Sequence, residues 1–484
     1  MVKQVLSEEC RPSVESQSGN ESIDAFDKSS SHPKNKWFSL PEIDQQGITP
    51  IPEDERPHER ITDNFTMWFS INSNWIAMSI GMLATQIYHI KFYEGLLCII
   101  FGNMVSALPG AVFATFGARY GLRQSVIARY SYGMIPSSIV SAIIVLSYFG
   151  WGIVDIILAA QLLTAVQSHY GASADFPLWA GILVIIAVTL AIGVFGYSIV
   201  HLVERWTWLP LWIIFFIILG LSAPHMDLSA ATSSSVQSDV GDIVSFFATI
   251  ASTNPVWVQC AADLTSKQPA TFNRYVIALL TYFGAVIPII LLEIFGFSLA
   301  ISIAQPDQNP TWRAGYEANS AGGLASAILE PVAGFGKLCL AIMAFGMIVH
   351  VVPNNYGASL TMQALIPGLH KIPIWVLTIL TAAIITIAAI AGAEHLAAIL
   401  QGILPFQMYC MSPYIAILLI EHFVMRSGHY PIDIWNSRSE LPIGLAATFS
   451  TVGGYAFAFL GANQSFFTGP IAQRIGEHYG EVDK

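Results

Sequence analysis

The sequence predicts an all-α polytopic membrane protein of about eleven spans, and three observations carry that prediction. Of the 484 residues, 54% are hydrophobic and only 11% charged, where an ordinary soluble domain is ~25% charged. Of the 53 charged residues, 20 fall within residues 1–64, and the other 420 positions are too sparsely charged to cover a surface facing water. Apolar runs of ~20 residues, the length that crosses a bilayer as a helix, recur to the end of the chain.

Residues 1–64 are rich in Ser, Pro, Glu, Asp and Lys and poor in apolar periodicity, which reads as a disordered cytosolic N-terminal tail. A transporter-sized membrane domain follows at 65–462, then a polar C-terminal tail at 463–484. Apolar length sets the spans at 66–87, 93–116, 136–166, 177–196, 207–225, 241–263, 275–303, 333–365, 373–392, 396–425 and 441–461. The loop 305–331 has room for a short extramembrane helix. With the N-terminus inside, the inner loops hold nine basic residues: Arg119, Arg123, Arg129, Arg205, Lys267, Arg274, Lys371, Arg426 and Arg438. The outer side has only Lys91, Arg313 and Lys337. That bias puts the N-terminus in the cytosol. No basic-then-apolar leader precedes residue 66, so the first span also targets the chain.

The same arithmetic excludes several functions. The net charge of -11 is divided between tail and membrane part and forms no nucleic-acid footprint. Five cysteines (Cys10, Cys98, Cys260, Cys339 and Cys410) are widely spaced and form no CxxC or Cys/His cluster, so neither a zinc site nor a disulfide framework is expected. No nucleophile–base set is visible, so no enzyme and no cofactor are expected. A channel would need rings of like polar groups, whereas the polar sites here are single and asymmetric.

Polar side chains in hydrocarbon cost energy unless they face a partner or a cavity, so their positions point to function. Asn72, Ser73 and Asn74, then Ser79 and Gly81, interrupt the first span. In the third, Trp151 and Asp155 are spaced i,i+4 and share a face. The sixth reads Ser252-Thr253-Asn254-Pro255-Val256-Trp257-Val258-Gln259, with Asp263 at its end. Pro255 removes a donor in mid-helix and predicts a break. The eighth carries His350, Pro353 and Asn354, a second Pro-interrupted polar patch. Spans one and six, and spans three and eight, are five apart, the arrangement of two inverted five-helix halves around a midplane site. Asn and Ser at helix interfaces also serve as interhelical glue, worth ~0.6 kcal/mol on average. Asp263 lies near Lys267 and is open to simple pairing with it, and Glu293 is a lone acid in span seven, either a network member or a proton relay.

The stretch Gly117-Ala118-Arg119-Tyr120-Gly121-Leu122-Arg123-Gln124, continuing to Arg129-Tyr130-Ser131-Tyr132-Gly133, resembles a signature of the nucleobase–cation symporter-1 family. Trp68-Phe69-Ser70, Glu204 to Pro210, Ala261 to Thr265, and the run from Glu421 through Gly444 resemble its fungal purine–cytosine permease branch. The resemblance implies a LeuT-type 5+5 inverted repeat with broken first and sixth helices. It further implies proton symport of purines or cytosine across the plasma membrane, with a coupling cation and the bilayer as the other partners. By position it makes Trp151 and Trp257 the two indoles of the site, with Pro353 and Asn354 ending its last motif. Together with the polar pattern, this gives Asn74, Ser79, Trp151, Asp155, Trp257, Gln259, His350 and Asn354 as substrate-binding candidates. Asp155, His350 and Glu293 are the candidates for proton coupling. Two indoles can sandwich a flat base while amides read its edge.

This chain departs from the family pattern where the pattern has Asn and the chain has Asp155, and again where it has Asn and the chain has His350. A carboxylate only accepts and a histidine can switch, so an altered substrate is expected: an amino-bearing or protonatable heteroaromatic, such as a vitamin B6 vitamer or a specialised metabolite. A nutrient sensor on a transporter scaffold is the remaining alternative. The family's twelfth span has no counterpart after Ala472; either eleven spans leave the C-terminus outside, or the sequence is truncated before the last helix.

Overall fold

A chain crossing hydrocarbon must satisfy its backbone polar groups within each segment, and helix does this. The computed structural model describes residues 47–56, 60–168, 176–193, 197–228, 240–305, 308–366, 368–464 and 467–475. Among the described residues, seven helical stretches are long and apolar enough to cross a membrane, and Leu178–Gly193 and Leu445–Leu460 are shorter apolar helices. Two interrupted helices, the first and the sixth, complete the eleven expected spans.

The first span is α1 (Asp63–Asn72) and α2 (Trp75–Gln86), separated by Ser73 and an extended Asn74 at φ -139° and ψ 168°. The residues themselves make the break. Asn72 Nδ2 donates to Trp68 O (2.9 Å), Ser73 Oγ to Phe69 O (2.5 Å) and Asn74 Nδ2 to Ile71 O (2.7 Å). Three successive side chains thus compete for carbonyls that would otherwise continue the helix. Asn74 Oδ1 then caps α2 by accepting from Ala77 N at 3.2 Å. Two tryptophans of a later helix brace the break: Trp212 Nε1 donates to Ser73 Oγ, and Trp208 N to Ser70 Oγ.

Next come α3 (Phe92–Tyr120), the short α4 (Gln124–Tyr132), α5 (Met134–Ser168), α6 (Leu178–Gly193) and α7 (Tyr197–Ser222), which carries that brace. Gly121 ends α3 at φ 64°, in the left-handed region where glycine is unstrained. The sixth span is α8 (Val240–Ala251), a tight turn from Pro255 to Gln259, and α9 (Ala261–Thr265). Pro255 supplies no N–H, and the hydroxyls of Ser252 and Thr253 take the carbonyls of Thr249 and Ile250. The α3–α4 loop holds the end of this span: Arg123 Nη1 donates to Asp263 O, and Gln124 N to Asp263 Oδ1 at 2.7 Å. Asp263 is therefore tied to the loop that carries the sequence signature.

The second half continues with α10 (Arg274–Ala304), α11 (Pro310–Leu329), α12 (Ala333–Gly346), α13 (Ile348–Leu365), α14 (Ile374–Gly392), α15 (Leu396–Ile420) and α16 (Leu445–Leu460). The loop helix α11 is longer than expected and bends at Asn319 and Ser320. One expectation needs correcting. The eighth span is not interrupted at Pro353, which sits inside α13; at the α12–α13 junction Met347 keeps helical dihedrals (φ -62°, ψ -24°), so this span has no break like those of the first and sixth.

Helices α5 and α13, the third and eighth spans, pack side by side, and α10 packs on α1, α2 and α3. Packing also starts earlier than residue 65: Ile48 and Ile51 are buried, and Arg56 Nη1 donates to Ala118 O at 2.8 Å. The rest of the expected N-terminal tail, 1–46 and 57–59, lies outside the described residues. So do 465–466 and 476–484 of the expected C-terminal tail, whose described part holds a two-stranded pair, Asn463–Gln464 with Phe467–Thr468, and a short helix, Ala472–Ile475.

Candidate functional site

The i,i+4 spacing of Trp151 and Asp155 puts both on the face of α5 that packs against α13. Asp155 is fully buried, and its Oδ2 accepts from two side chains one turn apart on α13: His350 Nδ1 at 2.8 Å and Asn354 Nδ2 at 2.5 Å. With Asp155 as a carboxylate, the Nδ1 contact puts a hydrogen on that nitrogen, and protonation of the ring then adds a donor at Nε2. Asp155 Oδ1 and Asn354 Oδ1 are buried without a hydrogen-bond partner in the protein. A buried polar atom left unpaired costs about 1–3 kcal/mol, and two such acceptors stand together beside the Asp155–His350 pair.

Aromatic rings enclose this trio. The Trp257 ring meets the His350 ring edge-on at 4.9 Å between centroids, and the Trp151 ring meets it at 6.2 Å. The two indoles thus converge on the imidazole. Two further residues join the site that the sequence reading did not single out. Trp68 packs edge-on against Trp257 at 5.6 Å, with its own Nε1 unpartnered. Gln407 of α15 accepts from Trp151 Nε1 and leaves its Nε2 unpartnered. Trp68 had been read only as part of a motif, and Gln407 was detectable as a lone amide two residues after Pro405 in an apolar span.

The remaining candidates divide. Gln259, on the same turn as Trp257, has both amide atoms buried and unpartnered, which fits a substrate contact. Asn74 spends its amide on the helix break, and Ser79 Oγ donates to Trp75 O at 3.1 Å, within its own helix. Neither is joined to Asp155 by a hydrogen bond in the structure. Glu293 belongs to a second polar cluster. Its Oε2 accepts from Asn103 Nδ2 at 2.6 Å, and Asn103 Oδ1 accepts from Asn254 Nδ2 at 2.8 Å and Thr253 Oγ1 at 3.2 Å. That cluster ties α3 and α10 to the break of the sixth span. Among the described residues no group of three His, Cys, Asp or Glu could hold a metal ion.

Comparison with known proteins gives the family and the fold. Residues 50–472 match a family described as permease for cytosine/purines, uracil, thiamine, allantoin. The chain is 33% identical to the purine-cytosine permease FCY21 of Saccharomyces cerevisiae, covering 90% of this chain and 82% of that protein. It is 32% identical to the purine-cytosine permease fcyB of Emericella nidulans, with 89% and 84% covered. Its fold is shared with Mhp1, a nucleobase-cation-symport-1 family transporter solved in a closed conformation with bromovinylhydantoin bound. There the TM-score is 0.65 at 14% identity, over 85% of this chain and 93% of that one. A signature loop clamping the sixth span, two broken helices five spans apart and a match over nearly all the described residues have one explanation: the chain belongs to the cytosine/purine permease family, in its fungal purine–cytosine permease branch.

Proposed function

We propose that this permease is a proton symporter, importing a purine/cytosine-type nucleobase or a related small heteroaromatic across the plasma membrane with its N-terminus in the cytosol. One observation carries the reading: a fully buried Asp155 holds His350 and Asn354 with one oxygen and keeps the other unpartnered. The edge of a flat base offers N–H donors and ring acceptors. Asp155 Oδ1 and Asn354 Oδ1 match the donors, and Gln259 can serve either, while Trp151 and Trp257 supply apolar faces.

The same pair suits the coupling ion. Asp155 with a neutral His350 leaves one net negative charge inside the bilayer, an expensive state. A proton on the pair cancels it, so the loaded site can change its access side without a net charge. Glu293, tied to Asn103 and Asn254 instead, is the second candidate for this role.

Asp155 in place of the family's amide favours a second reading, in which the substrate is an amine-bearing or protonatable heteroaromatic such as a vitamin B6 vitamer. A panel decides between the two: uptake by expressing cells of adenine, cytosine, uracil, allantoin and pyridoxine, each labelled in turn, with the unlabelled compounds as competitors of cytosine. Competition by adenine and self-competition by cytosine support the first reading. Cytosine transport that is absent, with pyridoxine accumulating instead, supports the second. Accumulation of none of the five rejects the carrier reading and leaves a sensor.

A further inference from the structure

Away from the substrate site, the end of α3, the start of α10 and the turn that follows α15 enclose two adjoining clefts of about 310 and 200 Å³. Thr115, Arg119 and Arg274 line both, and no acidic side chain lines either. Each guanidinium lies against a tyrosine, and His422 lines the smaller cleft with them. Arg119 lies over the Tyr120 ring at 5.3 Å, and Arg274 lies over the Tyr275 ring at 4.9 Å and donates to its hydroxyl at 3.0 Å. Among the described residues neither has a carboxylate within ion-pair distance. Arg274 is also the first residue of a 31-residue helix, whose dipole adds to the positive potential. The smaller cleft continues over apolar surface, Val112, Ala278 and Phe423, and Phe423, Val424 and Met425 point outward, each more than half exposed.

We propose that this cleft binds the headgroup of an anionic phospholipid from the cytosolic leaflet. The phosphate sits between Arg119 and Arg274, and an acyl chain lies along Val112, Ala278 and Phe423. Planar guanidinium forks match phosphate oxygens, and basic pockets between spans on the cytosolic side are how membrane proteins hold anionic headgroups. A free phosphate would meet the same two arginines but would leave the apolar half of the cleft uncovered. A bound lipid would bridge the ends of the second, seventh and tenth spans. The cytosolic leaflet follows from the orientation proposed above; binding itself does not depend on that orientation.

Native mass spectrometry of the full chain in detergent micelles doped with phosphatidylinositol, phosphatidylserine or phosphatidylcholine tests this. The wild-type protein is expected to retain one anionic lipid and to prefer it over phosphatidylcholine by about 30-fold, since each basic residue at a membrane surface contributes about fivefold. R119Q/R274Q should lose that preference, and R119K/R274K, which keeps the charges, should regain part of it. Melting midpoints without added lipid check that the variants are folded. No anionic preference in the wild-type protein, or equal retention by a folded R119Q/R274Q, overturns the proposal. Complete displacement of the lipid by millimolar inorganic phosphate overturns it too, in favour of a soluble anion.

Discussion

Replacing Asp155 with alanine is expected to lower uptake per transporter at the cell surface by about 100-fold or more. The change strips His350 Nδ1 and Asn354 Nδ2 of their shared acceptor between α5 and α13, where both side chains are buried. Each donor left buried and unpaired costs about 1–3 kcal/mol, and 1.4 kcal/mol is tenfold. Asp155→Asn keeps the shape and one acceptor, so it should fold better than the alanine variant while losing the coupling charge. Initial uptake rates normalised to surface abundance make the comparison. Uptake by Asp155→Ala within threefold of wild type would remove Asp155 from the site.

The second large effect lies where α2 meets α10. A Cβ on Gly81 would sit 1.9 Å from Glu293 O, and a Cβ on Gly296 would sit 1.9 Å from Met78 O. Each helix thus uses a glycine to admit the other's backbone, and the obstacle in both cases is backbone that has no rotamer to change. Either glycine changed to alanine must push the half-helix α2 away from α10, at a cost on the order of 3 kcal/mol or more. The shift would also disturb the Glu293–Asn103 bond, one link to the broken sixth span. Gly453→Ala in α16, which meets nothing within 4 Å, is the control. Fluorescence-detected size-exclusion chromatography after a heating series should show the two contact variants melting several degrees earlier, or yielding no monodisperse peak, while Gly453→Ala matches wild type. Unchanged melting of both contact variants would mean that the two helices are not packed this closely.

Much of this was legible in the residues because a bilayer leaves the chain few choices. Apolar length gave the spans, and the breaks in the first and sixth followed from side chains that compete with the backbone: Asn72, Ser73 and Asn74 in one, Pro255 with Ser252 and Thr253 in the other. The i,i+4 spacing of Trp151 with Asp155, and of His350 with Asn354, put each pair on one face. That two such faces meet is tertiary information and needed the fold. Pro353 misled because a proline forfeits one i→i−4 bond without having to end a helix: α13 runs on through it from Ile348 to Leu365. Glu293 looked solitary in span seven because its partner Asn103 lies 190 residues earlier, on α3. Gln407 was missed for the same reason: only its contact with Trp151 gives it a role.

The central claim is that Asp155 and His350 read the substrate and carry the coupling proton. Purified protein in proteoliposomes tests it, with an imposed inward proton gradient and labelled substrate chosen from the competition panel. The account predicts accumulation above equilibrium that collapses with a protonophore. It further predicts that Asp155→Asn with His350→Asn loses gradient-driven accumulation while admitting adenine or cytosine by exchange. Accumulation that is indifferent to the proton gradient, or a double variant whose gradient response and substrate profile both match wild type, would contradict it.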